Sequence, residues 1–440
     1  MKTRKWKPIF VLQRPQTIHL FTMALLCLFM IILVILRSVH LNPIDSTTNL
    51  DQNIHVTNLE NSLPNLKSAI ANIRQQKQNL VKRQLHTSST SELNVIELHH
   101  QPKVKSIKSE LIDDRIYWSD KAESLIPQGF NANDDLEFIR LVNQSIVVNM
   151  NRGCGRMQNR LLTLSNGEDV CARYRKNHDQ IQGEFISFLL SRLLKIGNVP
   201  STVLVQLASD DDRWSMVHNE LERARWEVKP VVFTKYIPNL EPAYIPTQLR
   251  TKDRRLHPNE SNLTKKTSDL IELVQWSDLI VLDYLTANLD RMLNNMINER
   301  WNPQMMESPA HNLLKINNNH NKKRSNLLVF LDNESGLFHG YRLLAKYESF
   351  HRSLLNSICI FRRSTIEQLQ ELSSLNDMEL AGKIGQEYNR YTIGQQFNSI
   401  SMGNIIPRKN LSILRRRMAS VLSQVDHCRT RFDGSSQQST

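Results

Sequence analysis

The chain of 440 residues has little glycine and, over one long stretch, no aromatic residue at all. It contains only 13 glycines, roughly 3% against a usual value of about 7%. Between Arg37 and Ile116 it has no Phe, Tyr, Trp or Gly. A segment of this composition cannot bury enough apolar surface to form a core. We therefore predict that residues 37–115 are a stem and that the folded domain begins near residue 116.

Charge is absent from a second segment, since no Asp, Glu, Lys or Arg occurs from Pro15 to Leu36. The apolar run of residues 17–36 is long enough for one bilayer crossing, which needs roughly 20 residues. Five cations precede this run, and Arg37 is the only cation soon after it. This asymmetry predicts a signal anchor of a type II membrane protein, with residues 1–16 cytosolic and the rest lumenal. A cleaved signal peptide is the alternative, although the run is long for one and lacks a small-residue cleavage site.

Lumenal topology changes the meaning of charge and cysteine. The net charge of +13 no longer favours nucleic acid, which the lumen lacks. Four of the five cysteines lie beyond the predicted membrane span, and an oxidising compartment predicts two disulfides. We predict that Cys154 pairs with Cys171, because they flank one hairpin, and that Cys359 pairs with Cys428 in the helical half. Asn-X-Ser/Thr acceptors for glycans occur at Asn143, Asn259, Asn262, Asn333 and Asn410.

The order of the hydrophobic patterns predicts an α+β fold. Residues 144–175 have β-branched segments, a glycine cluster and an Asn-Gly turn, which favour an antiparallel meander. Helical spacing follows, with Glu184 near the start of an apolar helix, and helices dominate the second half except for a short apolar strand ending in Asp332. The Asn-rich residues 307–326 are predicted to be a long surface loop. The folded domain would span residues 116–430, before a polar tail of residues 431–440.

Two acidic groups could carry chemistry. Asp290 and Asn295 follow a long apolar helix, and Asp332 opens an Asp-Asn-Glu segment after the strand. Phosphoryl transfer requires a carboxylate near the acceptor hydroxyl, and an amide and a carboxylate on the metal ions. The five-residue step from Asp290 to Asn295 equals that of the protein-kinase catalytic loop, although the preceding His and Arg are absent. The alternative is that these residues only terminate a helix and a strand.

Five collinear segments together resemble the Four-jointed family of Golgi protein kinases, and more distantly the kinases of the secretory pathway. They are IYWSDKAESLIPQGF, RGCGRMQNR, CARYR followed by DQIQGE, LDYLTANLDRMLNN and VFLDNESGLFHGYR. The resemblance covers about residues 115–430 and implies an atypical two-lobed protein-kinase-like fold, with a β-rich N-lobe and a helical C-lobe. It implies a Golgi enzyme that uses ATP and Mg²⁺ or Mn²⁺ to phosphorylate Ser or Thr in cadherin repeats of Fat and Dachsous type, in planar polarity and growth signalling.

The resemblance also implies roles for individual residues. Asp290 matches the catalytic Asp, while Asn295 and Asp332 match the metal ligands, the latter with its motif neighbours Asn333 and Glu334. The nucleotide would contact a loop with Gly153 and Gly155 and the basic residue Arg173, which pairs with Glu184. Arg173 departs from the usual Lys at this position. A glycan on Asn333 would block this site, so we predict that Asn333 is unmodified and that the Asn-rich loop lies outside the site.

Two other functions remain open from the sequence. A Golgi glycosyltransferase also has a type II anchor and stem, and the acidic residues 210–212 could bind the metal of a nucleotide sugar. A non-catalytic pseudokinase that only binds cadherins is supported by Arg173. The leucines and isoleucines of residues 59–80 have coiled-coil spacing, which is compatible with a homodimer through the stem. Pro64 interrupts this pattern, and a fluctuating helix in a spacer is the alternative. The resemblance also allows secretion after cleavage of the stem.

Overall fold

The computed structural model describes residues 108–433, except residues 209–210, 228, 260–262, 264–265, 318–322 and 395–404. Within these described residues no helix combines the length and the apolar character that crossing a membrane requires. The predicted cytosolic tail, membrane span and stem up to residue 107 lie outside them, as do Asn262 and the end of the polar tail. These predictions remain predictions.

The first half of the described chain is built around an antiparallel sheet. Three helices and two short strands precede this sheet in the chain. They are α1 (Lys108–Leu111), β1 (Ile112–Asp113), β2 (Tyr117–Trp118), α2 (Asp120–Glu123) and α3 (Ala132–Gln144). The sheet itself contains β3 (Val147–Arg152), β4 (Arg160–Leu164), β5 (Asp169–Arg173), β6 (Thr202–Gln206), β7 (Pro230–Lys235) and β11 (Thr392–Ile393), in the order β11-β6-β7-β5-β4-β3. Among these described strands only the β11–β6 pair is parallel. The predicted meander is confirmed as β3–β4–β5.

One apolar helix joins the sheet to the rest of the domain. This helix, α4 (His178–Leu193), begins after Asn177, whose side chain accepts a hydrogen bond from the backbone N–H of Asp179. Its side chains are buried from Ile181 to Ser191, since it packs against β7 on one side and later helices on another. Glu184 therefore lies in the interior of the helix, and its expected place at the helix start is wrong. The actual start is set by the capping residue Asn177.

The second half is mainly helical, as predicted. Its helices are α5 (His218–Ala224), α6 (Thr247–Arg250), α7 (Thr267–Thr286), α8 (Met292–Asn298), α9 (Phe338–Arg342), α10 (Leu344–Asn356), α11 (Arg363–Ser374), α12 (Asp377–Arg390) and α13 (Arg408–Arg431). The helix α7 is buried almost throughout, and α13 packs on it. The disulfide Cys359–Cys428 ties α13 to the segment before α11, and this predicted pairing is confirmed. The mixed α and β content with strands preceding helices agrees with the expected fold class.

A smaller sheet corrects one prediction. Its strands are β8 (Leu240–Tyr244), β9 (Pro309–Ile316) and β10 (Leu328–Phe330), all antiparallel with β9 in the centre. Residues 307–326 were expected to be one long surface loop, but their first part forms the central strand β9. The turn-rich composition concealed a strand that is stabilised by pairing with β8 and β10, which is a non-local effect.

Candidate active site

A cavity of about 510 Å³ lies between the first sheet and the smaller sheet. We call it the central cavity. Charged groups from different elements meet on its wall, including Arg173 of β5, Glu184 of α4 and Asp332 after β10. The remaining lining residues are Cys154, Gly155, Cys171, Val199, Pro200, Thr234, Lys235, Tyr236, Ile237, Asn239, Leu240, Asn312, Leu314, Phe330 and Leu331. A cavity of this size with an apolar wall and a few convergent charges is typical of a small-molecule site.

Arg173 and Glu184 form a buried ion pair on this wall. The Arg173 Nε and the Glu184 Oε2 are 3.7 Å apart. Burial raises the pKa of Glu184, and the adjacent guanidinium of Arg173 opposes that rise. Burial alone lowers the pKa of Arg173, but the carboxylates of Glu184, Asp332 and Glu334 outweigh it and raise that pKa. Arg173 is thus a fixed cation at the centre of three carboxylates.

The Asp-Asn-Glu segment faces this cation. Asp332 has a left-handed backbone with φ of 53°, and its Oδ1 accepts a hydrogen bond of 2.6 Å from Arg173 Nη1. Glu334, in the short 3-10 helix that follows, is almost fully buried. Its Oε2 lies 2.7 Å from Arg175 Nε and 3.4 Å from Arg173 Nη1. Burial lowers the pKa of Arg175, and the Glu334 carboxylate opposes that effect.

Asp290 lies beside the same group. The helix α7 ends at Thr286, and Ala287 then takes a left-handed conformation that turns the chain toward Asp290. The Asp290 Oδ2 accepts hydrogen bonds from Arg156 Nη2 at 3.0 Å and from Asn312 Nδ2 at 3.1 Å. The His311 Nδ1 is 3.4 Å from Asp290 Oδ1. Because Asn312 lines the central cavity, Asp290 is held at its edge.

Arg291 connects the segment of Asp290 to that of Asp332. Its fully buried guanidinium donates to the carboxylate of Asp283 and to the Oδ1 of Asn333. The hydroxyl of Ser335 also donates to Asn288 Oδ1 at 2.6 Å. Burial raises the pKa of Asp283 to about 6, with Arg291 opposing the rise. These contacts fix the two acidic segments relative to each other.

Asn295 is joined to this group only through its backbone N–H, which donates to the backbone oxygen of Arg291 at 3.4 Å, and no side-chain contact among the described residues links them. It is fully buried in α8, where its Nδ2 donates to the backbone oxygens of Met305 and Pro309. Its Oδ1 has no hydrogen-bond partner in the described part of the chain. The role of Asn295 as a metal ligand stays a prediction, and the unpartnered oxygen is the one feature that agrees with it.

The glycine-containing loop between β3 and β4 covers one side of the cavity. The disulfide Cys154–Cys171 attaches it to β5, and this predicted pairing is confirmed. Gly155 has φ of 88° and lines the cavity. Gly153 is packed closely against Leu161, since an added Cβ would lie 2.8 Å from the Leu161 Cβ. Gly155 therefore has the open position that an approaching ligand requires, whereas Gly153 shapes the loop.

Four residues of the site were missed by reasoning from sequence: Arg156, Arg175, His311 and Asn312. Arg156 follows Gly155 directly and could have been noticed as a cation on a ligand-covering loop. Arg175 is two residues after Arg173 on the same side of an extended chain, which is a usable signal. His311 and Asn312 gave no signal, because they lie in the segment that was expected to be a loop outside the site.

The glycan acceptors differ in exposure. Asn143 and Asn259 are exposed and Asn410 is half-buried. Asn333 is only 2% exposed, and both ends of its amide are used, by Arg291 and by the backbone oxygen of Phe330. A glycan on Asn333 would require these contacts to break. The prediction that Asn333 is unmodified therefore has a physical basis in the folded domain.

Residues 133–431 match the family described as Four-jointed box protein middle domain. The chain belongs to this family. It is 37% identical over 367 residues to the extracellular serine/threonine protein kinase four-jointed of Drosophila melanogaster, a match that covers 72% of this chain and 61% of that protein. It is 32% identical over 334 residues to Four-jointed box protein 1 of Homo sapiens, covering 74% and 73%. The chain thus spans about three fifths of the Drosophila relative, and the expected resemblance to the Four-jointed family is confirmed.

Two solved structures share more distant similarity with this Four-jointed box family member. A crystal structure of the Golgi casein kinase has a TM-score of 0.44 at 14% identity, over 66% of this chain and 75% of that one. The structure of hydra Fam20 with sugar has a TM-score of 0.41 at 14% identity, over 73% and 93%. With TM-scores below 0.5, neither similarity bears on the function of this chain.

Proposed function

We propose that the protein is an ATP-dependent serine/threonine protein kinase of the Golgi lumen with an atypical two-lobed kinase-like domain. The observation that carries the proposal is the central cavity, where the Arg173–Glu184 pair faces Asp332 while Asp290 lies at the edge. A cation–carboxylate pair, a metal-binding carboxylate and a carboxylate near the acceptor are the parts that phosphoryl transfer needs. Membership in a family with a member named as a serine/threonine kinase supports the same reading.

The central cavity suits a nucleotide. Its volume falls within the range of about 300–1,000 Å³ that such ligands occupy. Val199, Leu240, Leu314 and Phe330 offer an apolar wall for a base. Arg173 provides positive charge at the acidic end of the cavity, beside Asp332, where the phosphates would lie. Arg173 cannot lose its proton at any relevant pH, and its planar guanidinium can contact two phosphate oxygens at once, so it can replace the usual Lys.

The acidic end also suits Mg²⁺ or Mn²⁺. Among the described residues no cluster of three or more His, Cys, Asp or Glu forms a ready-made metal site. Mg²⁺, however, is typically bound through one or two carboxylates together with substrate phosphates and water. Asp332 offers such a carboxylate, and the buried and unpartnered Oδ1 of Asn295 is a second oxygen in the same half of the domain. A bound cation would supply neutralisation of the phosphate charge.

Asp290 is the residue proposed to take the proton from the acceptor hydroxyl. Its Oδ2 accepts the hydrogen bond from Asn312, whereas its Oδ1 lies 3.4 Å from His311 Nδ1. Arg291 directly follows Asp290 and donates to Asn333, which directly follows Asp332. The distance between the acceptor-binding and metal-binding carboxylates is therefore set by a buried contact. Positioning of this kind provides much of the rate enhancement in phosphoryl transfer.

The proposed substrates are Ser or Thr residues in extracellular cadherin repeats of Fat and Dachsous type, with a role in planar cell polarity and growth. This part rests on family membership, as does the Golgi location. The type II anchor is proposed from the apolar run of residues 17–36 and its flanking charges, and a homodimer through the stem from the spacing of residues 59–80. The glycosyltransferase alternative has less support, because Asp212 begins a 3-10 helix and Asp211 caps it, away from the central cavity. These residues line a different cavity.

The test is phosphate transfer by the full-length purified protein with labelled ATP, Mg²⁺ or Mn²⁺ and a cadherin repeat. We expect transfer by the wild type and none by the Asp290→Ala and Asp332→Ala variants. The control is Asp212→Ala, which removes the same group outside the site and should keep activity. A wild type without transfer, or a folded and fully active Asp332→Ala variant, would refute the proposal. Binding of cadherin without transfer would favour the pseudokinase.

A further inference from the structure

Arg156 is a half-exposed cation of the acidic site and contacts three of its carboxylates. Its Nη2 is 3.0 Å from Asp290 Oδ2, its Nη1 is 2.8 Å from Glu334 Oε1, and its Nε is 3.7 Å from Asp332 Oδ2. Each nitrogen of the guanidinium thus faces a different acid. The side chain is 48% exposed, whereas that of Glu334 is 1% exposed.

The partners of Arg156 do not depend on it equally. Glu334 also faces Arg175 and Arg173, and Asp332 accepts a hydrogen bond from Arg173. Those two arginines are mostly buried on β5 or just after it, so they are fixed parts of the domain. Arg156 instead lies on the loop directly after Gly155, whose surroundings are open within 4 Å of an added Cβ. It is the cation in this group that can leave.

We propose that Arg156 is a resident counter-cation that occupies the metal site in the nucleotide-free protein and is displaced by the divalent cation. This inference rests on the proposed function, because it presumes that Asp332 binds the metal. The guanidinium contacts the Oδ2 of both Asp290 and Asp332, so a cation on Asp332 would add a third positive charge to a carboxylate that already faces Arg156 and Arg173. Like charges at such a distance repel strongly in a partly buried site.

The displaced Arg156 is expected to bind the phosphates of the nucleotide. Its loop covers the central cavity and is tied by Cys154 to β5, so the guanidinium can move only a short way. Phosphate oxygens arriving with the metal are the new acceptors within that range, and arginine binds phosphate in a bidentate manner. Arg156 should therefore oppose binding of the metal alone and favour binding of the metal together with nucleotide. This makes the site selective for the complete metal–nucleotide complex.

The test measures Mn²⁺ binding without activity. Full-length wild type, Arg156→Gln and Arg156→Ala are titrated with Mn²⁺ alone and then with Mn²⁺ and ADP. We expect both variants to bind Mn²⁺ alone about tenfold tighter than wild type, the size of one lost charge-assisted contact at a half-exposed position. We expect the same variants to bind the Mn²⁺–ADP complex more weakly than wild type. Arg156→Gln keeps most of the length of the side chain if Arg156→Ala fails to fold.

The control is Arg152→Ala, which removes an exposed cation from the end of β3 on the same hairpin. It should leave Mn²⁺ binding as in wild type. If the loss of one positive charge were sufficient to tighten Mn²⁺ binding, Arg152→Ala would show the same effect as the Arg156 variants. Unchanged or weaker Mn²⁺ binding by Arg156→Gln, in a protein whose binding is abolished by Asp332→Ala, would overturn the inference and leave the proposed function intact. Absence of Mn²⁺–ADP binding in the wild type would instead refute the proposed function, and the inference with it.

Discussion

Gly183→Ala is a small change that should displace the proposed metal-binding segment. An alanine Cβ at this position in α4 would lie 2.8 Å from the backbone oxygen of Gly336 and 3.1 Å from that of Glu334. Ordinary van der Waals contacts are about 3.5–4.0 Å, so the segment after Asp332 must move by roughly 0.7 Å. Both obstacles are backbone atoms and cannot rotate away.

The expected magnitudes separate stability from activity. Overpacking typically lowers the free energy of unfolding by about 1–3 kcal/mol. Replacing a glycine in a helix with alanine raises it by about 1 kcal/mol. The net loss of unfolding free energy should therefore be about 0–2 kcal/mol, and the protein should stay folded. A functional group tolerates about 0.5 Å of displacement, and 1 Å costs about a hundredfold in rate. We expect phosphate transfer to fall about tenfold.

The assay compares kcat/KM for ATP with the thermal midpoint of the same preparation. Gly167→Ala is the control, since it has φ of 86° and nothing within 4 Å of the new Cβ. Its backbone strain should lower stability by about 1 kcal/mol without affecting activity, because Gly167 precedes β5 at the end opposite Arg173. Wild-type activity in Gly183→Ala, or an equal loss in Gly167→Ala, would contradict the proposed tight contact.

Three further predictions concern the site and the fold. Asp332→Ala should weaken metal-dependent ATP binding while Asp290→Ala should largely spare it, as calorimetric titration would measure; equal affinities in the two variants would argue against their separate roles. Replacing Cys154 and Cys171 together with serine should lower the unfolding free energy by about 3 kcal/mol, the value expected for a loop of this length, in denaturant titrations. Burial and Arg417 lower the pKa of His351 from 6.5 to about 3, so neutral His351 contributes stability above pH 6.5 that is lost as the pH falls. Between pH 7.5 and 5 the unfolding free energy of the wild type should decline by ~2 kcal/mol more than that of His351→Gln. If the unfolding free energies of the two proteins changed in parallel with pH, the proposed role of His351 would be wrong.

Local patterns in the sequence were sufficient for much of the fold. The β-branched segments and the Asn-Gly turn predicted the meander, and an apolar run predicted β10 before Asp332. The disulfides followed from the number of cysteines beyond the apolar run and their place in the hairpin and the helical half. Each of these features depends on neighbours within one supersecondary unit, where periodicity and turn chemistry are informative.

The rest depends on distant residues. Arg156 and Asp290 are in contact although they are 134 positions apart. A local sequence pattern cannot predict which acidic side chain an arginine on a loop will contact. The strand β9 exists because β8 and β10 pair with it on both sides, so its polar composition was misleading. Asn312 was hidden for the same reason. The acids and the cation Arg173 were expected from the family resemblance, whereas the other two arginines that balance their charge, Arg156 and Arg175, were not.

The Cys154–Cys171 bond links the conformation of the loop that covers the central cavity to the redox state of its surroundings. The loop becomes anchored to the strand of Arg173 only when the two thiols are oxidised, which happens in the secretory pathway and is prevented in the cytosol. A copy of the chain retained in the cytosol would keep every residue of the site but lack this anchor. Under the proposed function, the compartment would therefore determine where the site can be completed, because Cys154 and Cys171 are part of the wall of the central cavity.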